Sequence, residues 1–337
     1  MIKTFRLSHK SIFIFILWAT IGVICTIGIN QYNPLQDNNI DYSVRQSGYN
    51  FINPLLECEI QNHWDRQKYI PFETNTINRI KKEIIETHPE MTIGIYVRNL
   101  NNGPWFGINE NEKYSPASMM KVPILITFLK WIEQDSLVLD KKIFISKDST
   151  SLNQYFKPLK EIIVWKEYNV AELLKEMIIN SNNLAMNTLL EIMPPQLYVQ
   201  VSNNLNIIVP KYETEENYLS VKDMASFFRI LYNASYLNRD SSEYALNLLS
   251  KVTFDKGLRA WVPSNILVSH KFGERGYTDE WWKQIRQLHD CGIVYYPKYP
   301  YLLCIVSKWD NFDTNANIIM NTSKIVFEEI SKTYPQK

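Results

Sequence analysis

Apolar positions recur along this chain with two periods, and each change of period marks a change of element. Lys3, Arg6 and Lys10 precede an uncharged run, Ile12 to Ile29, of about the length that crosses a bilayer. The positive flank and the acids beyond the run, Asp37 and Asp41, predict an amino end on the cytoplasmic side and the rest of the chain outside. No small-x-small cleavage site comes after the run, so residues 1–30 are expected to be a membrane anchor rather than a removed signal segment; removal would leave a secreted domain. Residues 31–72 mix Asn, Asp, Gln, Pro and Gly with aromatics and read as a spacer that partly packs on the domain behind it. Residues 73–335 read as that one domain.

Ile77, Ile80, Ile84 and Ile85 give Thr74–His88 a helical period. Met91–Leu100 and Pro104–Ile108, split by Asn101-Asn-Gly103, predict a hairpin. A helix opens at Ser118 in N-cap position and runs through Val122, Ile124, Leu125, Ile126, Phe128 and Leu129. Further helices are expected over Val170–Ile179, Leu184–Met193, Ser220–Tyr232 (with Asp223 completing a near capping box), Ser242–Leu249 and Asn315–Ile330. Glu161–Val164 reads as extended chain or loop, and the stretch around Ser202-Asn203-Asn204 as a loop. Strands are expected over Ile266–Phe272, and over Cys291–Tyr296 with Tyr301–Lys308, the last two joined by Pro297–Pro300.

Composition removes several classes of function. The 337 residues are 45% hydrophobic with a net charge of +1, enough apolar matter for a large core and no basic footprint for nucleic acid. Five scattered histidines and no C-x-x-C pair argue against a metal, and neither phosphate-binding glycine motif occurs. No cofactor is expected. Cys25 falls in the apolar run. Cys291 and Cys304 have the parity to share a face of their hairpin, and a disulfide among Cys58, Cys291 and Cys304 is allowed outside the cytoplasm, with the pairing open.

Three polar constellations remain. Ser118 and Lys121 stand three residues apart, on one face of a helical turn, and no other serine in the chain has a lysine at that spacing. A serine hydroxyl needs a base beside it to become a nucleophile at neutral pH, and a desolvated lysine supplies one. Ser181 and Asn183 put a proton-transferring hydroxyl and a carboxamide on a tight turn between two helices. Lys271 and Gly273 put a cation on a strand where backbone can approach a ligand closely.

In this order, S-x-x-K, S-x-N and K-x-G, the chain from about Thr74 to Ile330 resembles the penicillin-recognising serine hydrolases, most closely the class A β-lactamases. The resemblance implies an α+β fold: an antiparallel sheet built from both ends of the domain, flanked by helices, with an all-helical subdomain inserted. It implies that Ser118 attacks a carbonyl, that Lys121 and Ser181 carry protons to the leaving nitrogen, and that Asn183 and Lys271 orient a β-lactam or a cell-wall peptide amide. The oxyanion hole would be the backbone N–H groups of Ser118 and of Glu274, just past Gly273.

Three positions depart from the family pattern. Asn182 stands where Asp is usual, Phe272 where a Thr or Ser helps hold a substrate carboxylate, with Arg275 and Arg259 as substitutes for that task. The Glu-x-x-Leu-Asn pattern of the deacylating loop is absent; Glu213, with Asn217 four residues on, is the candidate for its glutamate. A D,D-peptidase-like enzyme with slow deacylation, or a non-catalytic envelope-binding protein on the same fold, are the alternatives.

Overall fold

The computed structural model describes residues 43–45, 48–58, 70–147, 154–207, 217–278 and 282–336. The anchor expected over residues 12–29 and the candidate Glu213 lie outside them; among the described residues no helix is long and apolar enough to cross a membrane.

In chain order, β1 (Ser43–Arg45) pairs with β2 (Leu55–Cys58), and α1 (Glu73–Ile80) runs into a single wider turn, Lys81–Ile85. The hairpin β3 (Thr92–Asn99) and β4 (Trp105–Ile108) comes next, then a two-residue strand, β5 (Lys113–Tyr114), a 3₁₀ turn over Ala117–Met120 and α2 (Lys121–Ile132). The middle of the chain holds the pair β6 (Lys142–Ile145) and β7 (Lys166–Asn169), α3 (Val170–Ile179), α4 (Asn183–Ile192), α5 (Pro195–Asn204), β8 (Leu219–Ser220), α6 (Val221–Tyr232) and α7 (Arg239–Leu249). Three long strands, β9 (Val268–Thr278), β10 (Gln284–Val294) and β11 (Tyr301–Trp309), and a closing helix, α8 (Phe312–Thr333), complete it.

The five-stranded sheet has the order β4-β3-β11-β10-β9 and is antiparallel throughout, so the two ends of the domain meet at the β3–β11 ladder. Period-two burial on β11 shows how the sheet divides two cores: Leu302, Cys304 and Val306 face the inserted helices, whereas Tyr301, Leu303 and Ile305 face α1 and α8. On the first side α6 lies across the sheet, burying Val221, Met224, Phe227, Phe228 and Leu231 behind the Ser220–Asp223 capping box. Cys291 and Cys304 are direct cross-strand partners in β10 and β11 and form the disulfide. The spacer is tied down where the Glu243 carboxylate accepts the N–H groups of Asn50, Phe51 and Ile52 at 2.8 to 3.2 Å and where the Asn53 N–H donates to the Tyr232 carbonyl at 2.8 Å.

The structure corrects four expectations. Ser202-Asn203-Asn204 is the end of a helix, not a loop: Pro195 opens α5 at its first turn, and Val201 and Ser202 are buried. Ser118 is not a helix N-cap. It sits inside the 3₁₀ turn, α2 begins only at Lys121, and neither segment has a side-chain cap, because Ala117 enters the left-handed region at φ +42° and starts the turn early. The strand expected to end at Phe272 continues to Thr278, and the one expected to start at Cys291 starts at Gln284, which makes β9 and β10 a long hairpin of polar sequence.

Candidate active site

Ser118 is presented by the abrupt change of backbone direction at Ala117, between β5 and α2. Its side chain opens onto a cleft of about 710 Å³, which Asn183, Glu274, Arg275, Arg286 and Tyr155 also line. Beneath the floor of that cleft lie Lys121, Ser181 and Lys271, each with 0% exposure. The three sequence constellations therefore converge, from a helix start, a helix-to-helix turn and a strand centre.

Ser181 is the hub. It adopts φ +52°, a left-handed value that ends α3 and aims its hydroxyl back under the cleft. Lys121 Nζ donates to the Ser181 carbonyl at 2.6 Å, to Asn183 Oδ1 at 2.7 Å and to Ser181 Oγ at 3.2 Å. Lys271 Nζ donates to the same hydroxyl at 2.9 Å and to the Phe272 carbonyl at 2.9 Å. Ser118 Oγ, by contrast, makes no hydrogen bond to any described residue. The base expected beside it is oriented toward Ser181 and Asn183.

Two ammonium groups cannot both stay charged this close in a dry pocket. Burial, and then the neighbouring Lys271, push the pKa of Lys121 well below the ordinary lysine value, against a raising influence of Glu274. Burial likewise lowers Lys271 to about 7, partly offset by Asp290 and Glu274. The pair can hold one proton between them near neutrality.

Asn182 caps α4, accepting the Ala185 N–H at 2.9 Å, a task that Asp performs equally well. Its departure from the family pattern is thus structural. Asn182→Ala is expected to cost about 1 kcal/mol of stability in a urea titration, as loss of an N-cap does.

The family model described as the beta-lactamase enzyme family matches residues 75–330. The chain belongs to that family. It is by family a penicillin-recognising serine hydrolase, and its sheet and inserted helices are that fold. A beta-lactamase of Proteus vulgaris is 23% identical over 283 residues, covering 78% of this chain and all of that one. Among solved structures, PBP-A superposes with a TM-score of 0.64 at 21% identity, covering 77% of this chain and 97% of its own. TLA-3 extended-spectrum beta-lactamase gives 0.65 at 19%, covering 76% and 98%.

Against this family background the cleft has its own features. Phe272 sits in an aromatic cluster, stacked on Phe254 at 4.2 Å with Phe156 edge-on at 6.2 Å, and Lys271 Nζ stands over its ring at 4.3 Å from the centroid. Arg275 lines the cleft, whereas Arg259 does not: it donates to the carbonyls of Pro263, Ser264 and Ile266. Arg286, on β10, lines the cleft too, and no motif in the sequence points to it. The side chain of Glu274 is likewise without a motif, only its backbone being expected at the site. The Glu274 carboxylate spans to the N–H groups of Tyr155 and Phe156, at 2.7 and 3.1 Å, and burial raises its pKa despite those bonds. Gln287 and His289, buried on β10 against the turn before Ser118, give no sequence signal beyond their shared parity on a strand.

Proposed function

We propose that this protein forms an acyl-enzyme on Ser118 with a β-lactam, or with a cell-wall peptide amide of the same chemistry. The observation that carries the proposal is Ser181 Oγ held between two lysines, Lys121 at 3.2 Å and Lys271 at 2.9 Å, under the residue that would attack. A neutral Lys121 has two N–H groups, which the Ser181 carbonyl and Asn183 Oδ1 take up at 2.6 and 2.7 Å; in that form it no longer donates to Ser181 Oγ, at 3.2 Å, and has a lone pair for a proton. As Ser118 Oγ bonds to the carbonyl carbon, its proton passes to Lys121. Ser181 then gives its own proton to the departing nitrogen, the C–N bond breaks, and Lys121 returns the proton to Ser181. Lys271, protonated, holds the Ser181 oxygen and adds positive charge for an acidic substrate. The absence of a hydrogen bond to Ser118 fits a resting site in which catalytic contacts tighten on substrate.

Deacylation is the step that separates two readings. The missing Glu-x-x-Leu-Asn pattern favours an acyl-enzyme that persists, as in a penicillin-binding peptidase, over rapid β-lactam turnover. A mutant of PBP-A has been seen as an acyl-enzyme with penicillin G, which supports the acylation half of the proposal. Incubating residues 31–337 with a chromogenic β-lactam and with a fluorescent penicillin distinguishes them: stoichiometric labelling without turnover supports the persistent acyl-enzyme, and sustained colour release supports the lactamase. No reaction with either, nor with cell-wall peptides, defeats the proposal.

Because the lowered pKa of Lys271 is about 7, its charge should fade through that pH in the free enzyme. Acylation by a penicillin that carries a carboxylate is therefore expected to fall as pH rises above 7. Lys271→Arg, whose guanidinium keeps its proton, should flatten that limb. Full pH profiles of the second-order labelling constant check it; the same limb in both proteins contradicts it.

The proposal sets this chemistry outside the cytoplasm, at a membrane. Support comes from the charged flank before Ile12–Ile29 and from the Cys291–Cys304 bond, which oxidising compartments preserve.

A further inference from the structure

The turn that carries Ser118 is held from below by two side chains that the chemistry above does not use. Gln287 and His289 are two apart on β10 and so share a face, the one that looks at residues 115 and 116. Gln287 Nε2 donates to the Ser115 carbonyl at 2.7 Å and to His289 Nδ1 at 3.2 Å, which occupies both of its N–H groups. His289 Nε2 donates to the Pro116 carbonyl at 2.8 Å. A carbonyl can only accept, so the proton belongs on Nε2, and the amide donating to Nδ1 selects that tautomer. The two side chains are 1% and 0% exposed. Burial lowers the His289 pKa to about 4, against the raising influence of the Pro116 bond, so the ring is neutral at physiological pH.

Gly273 faces His289 across the β9–β10 ladder, and a Cβ there would lie 2.3 Å from His289 Nε2. The glycine of the third motif therefore makes room for the imidazole as well as for substrate.

The Ser118 N–H lies in this turn. In a 3₁₀ turn each N–H reaches back three residues, so the natural partner of this one is the Ser115 carbonyl. Gln287 donates to that carbonyl and fixes its direction, and Ala117, at φ +42°, bends the chain so that the Ser118 N–H does not bond it. Met119, one residue on, does make its bond back to Pro116, at 2.8 Å, while Ser118 N–H donates to no described acceptor. An oxyanion-hole donor has to be in that condition before substrate arrives.

We propose that Gln287 and His289 are positioning residues for acylation: by holding the carbonyls of Ser115 and Pro116 they keep the Ser118 N–H unpaired and turned to the cleft. This rests on Ser118 being the acylated residue. The test compares Gln287→Leu, His289→Leu and His289→Gln with wild type, resolving penicillin labelling into non-covalent affinity and the acylation step and correcting for folded fraction. Each leucine variant should slow the acylation step by about 10²-fold, as loss of one oxyanion donor does, with affinity changed by less than about twofold. His289→Gln, which keeps an N–H near Nε2, should recover most of the rate. Leucine variants whose only loss is of folded protein, or whose affinity falls while the acylation step is unchanged, overturn the proposal. Should they fail to fold, the ¹⁵N resonances of His289 in wild type decide: a slowly exchanging proton on Nε2 supports the clamp, and one on Nδ1 overturns it. If wild type takes no label from any penicillin, the failure belongs to the Ser118 reading, and the same resonances still report whether the clamp exists.

Discussion

Ser118→Ala is expected to abolish covalent labelling by a penicillin while leaving the melting temperature essentially unchanged. The hydroxyl has no hydrogen bond to a described residue, so its loss leaves no polar partner stranded. Nor does another serine stand ready to replace it: Ser115 and Ser181 are both buried, and Ser181 Oγ is already bonded to two lysines. The distinction between loss of chemistry and loss of fold is therefore clean at this position. Gel fluorescence of the labelled protein, with a thermal melt alongside, measures both. Label retained in the variant would mean that a different group is the nucleophile.

The second large effect is expected at Lys121, the proposed base. Lys121→Met should slow acylation by about 10³-fold, within the range general-base removal produces. Methionine fills nearly the same volume, and the amine it replaces is held, by burial first and by Lys271 second, in a site that disfavours its charged form. Glu274, the acid that acts on Lys121, keeps the larger influence of Lys271; what is left is the Ser181 carbonyl and Asn183 Oδ1 without their donor, worth about 1–3 kcal/mol of stability. The wild-type acylation rate should also persist far below the ordinary lysine pKa, because the lone pair is available wherever Lys121 is neutral. A rate in the methionine variant within tenfold of wild type would transfer the base to another group.

How much of the site is legible in the sequence depends on how local each signal is. Ser118 with Lys121, and Ser181 with Asn183, announce themselves because a single turn brings each pair together, whatever the rest of the chain does. Their order along the chain implies the fold, and the sheet made from both ends has the β3–β11 ladder at its junction. The Cys291–Cys304 pair is visible as parity on one hairpin, though spacing alone does not eliminate Cys58. The first half of β10 is not legible. Gln287, His289 and Asp290 look like loop letters, yet each is buried with a partner contributed from another part of the chain: Ser115, Pro116, and the Leu258 N–H with His270. Periodicity counts polar residues as outward-facing, and here Gln287 and His289 face inward to the carbonyls of Ser115 and Pro116 in the turn before Ser118, and Asp290 to the Leu258 N–H and His270. The start of α2 is misplaced for a related reason. Ala117 takes a left-handed conformation that composition ascribes to glycine, and only tertiary contacts hold it there. Sequence points to Glu274 only through its backbone, because the loop its carboxylate reaches, at Tyr155 and Phe156, is 118 to 119 residues away.

One covalent bond decides between these readings, and peptide mapping of the wild-type protein after exposure to a penicillin looks for it directly. The prediction is a single adduct of one penicillin mass on the peptide that contains Ser118, with fragmentation placing it on that serine. An adduct on any other residue, or none under conditions in which the protein is folded, would contradict Ser118 as the nucleophile.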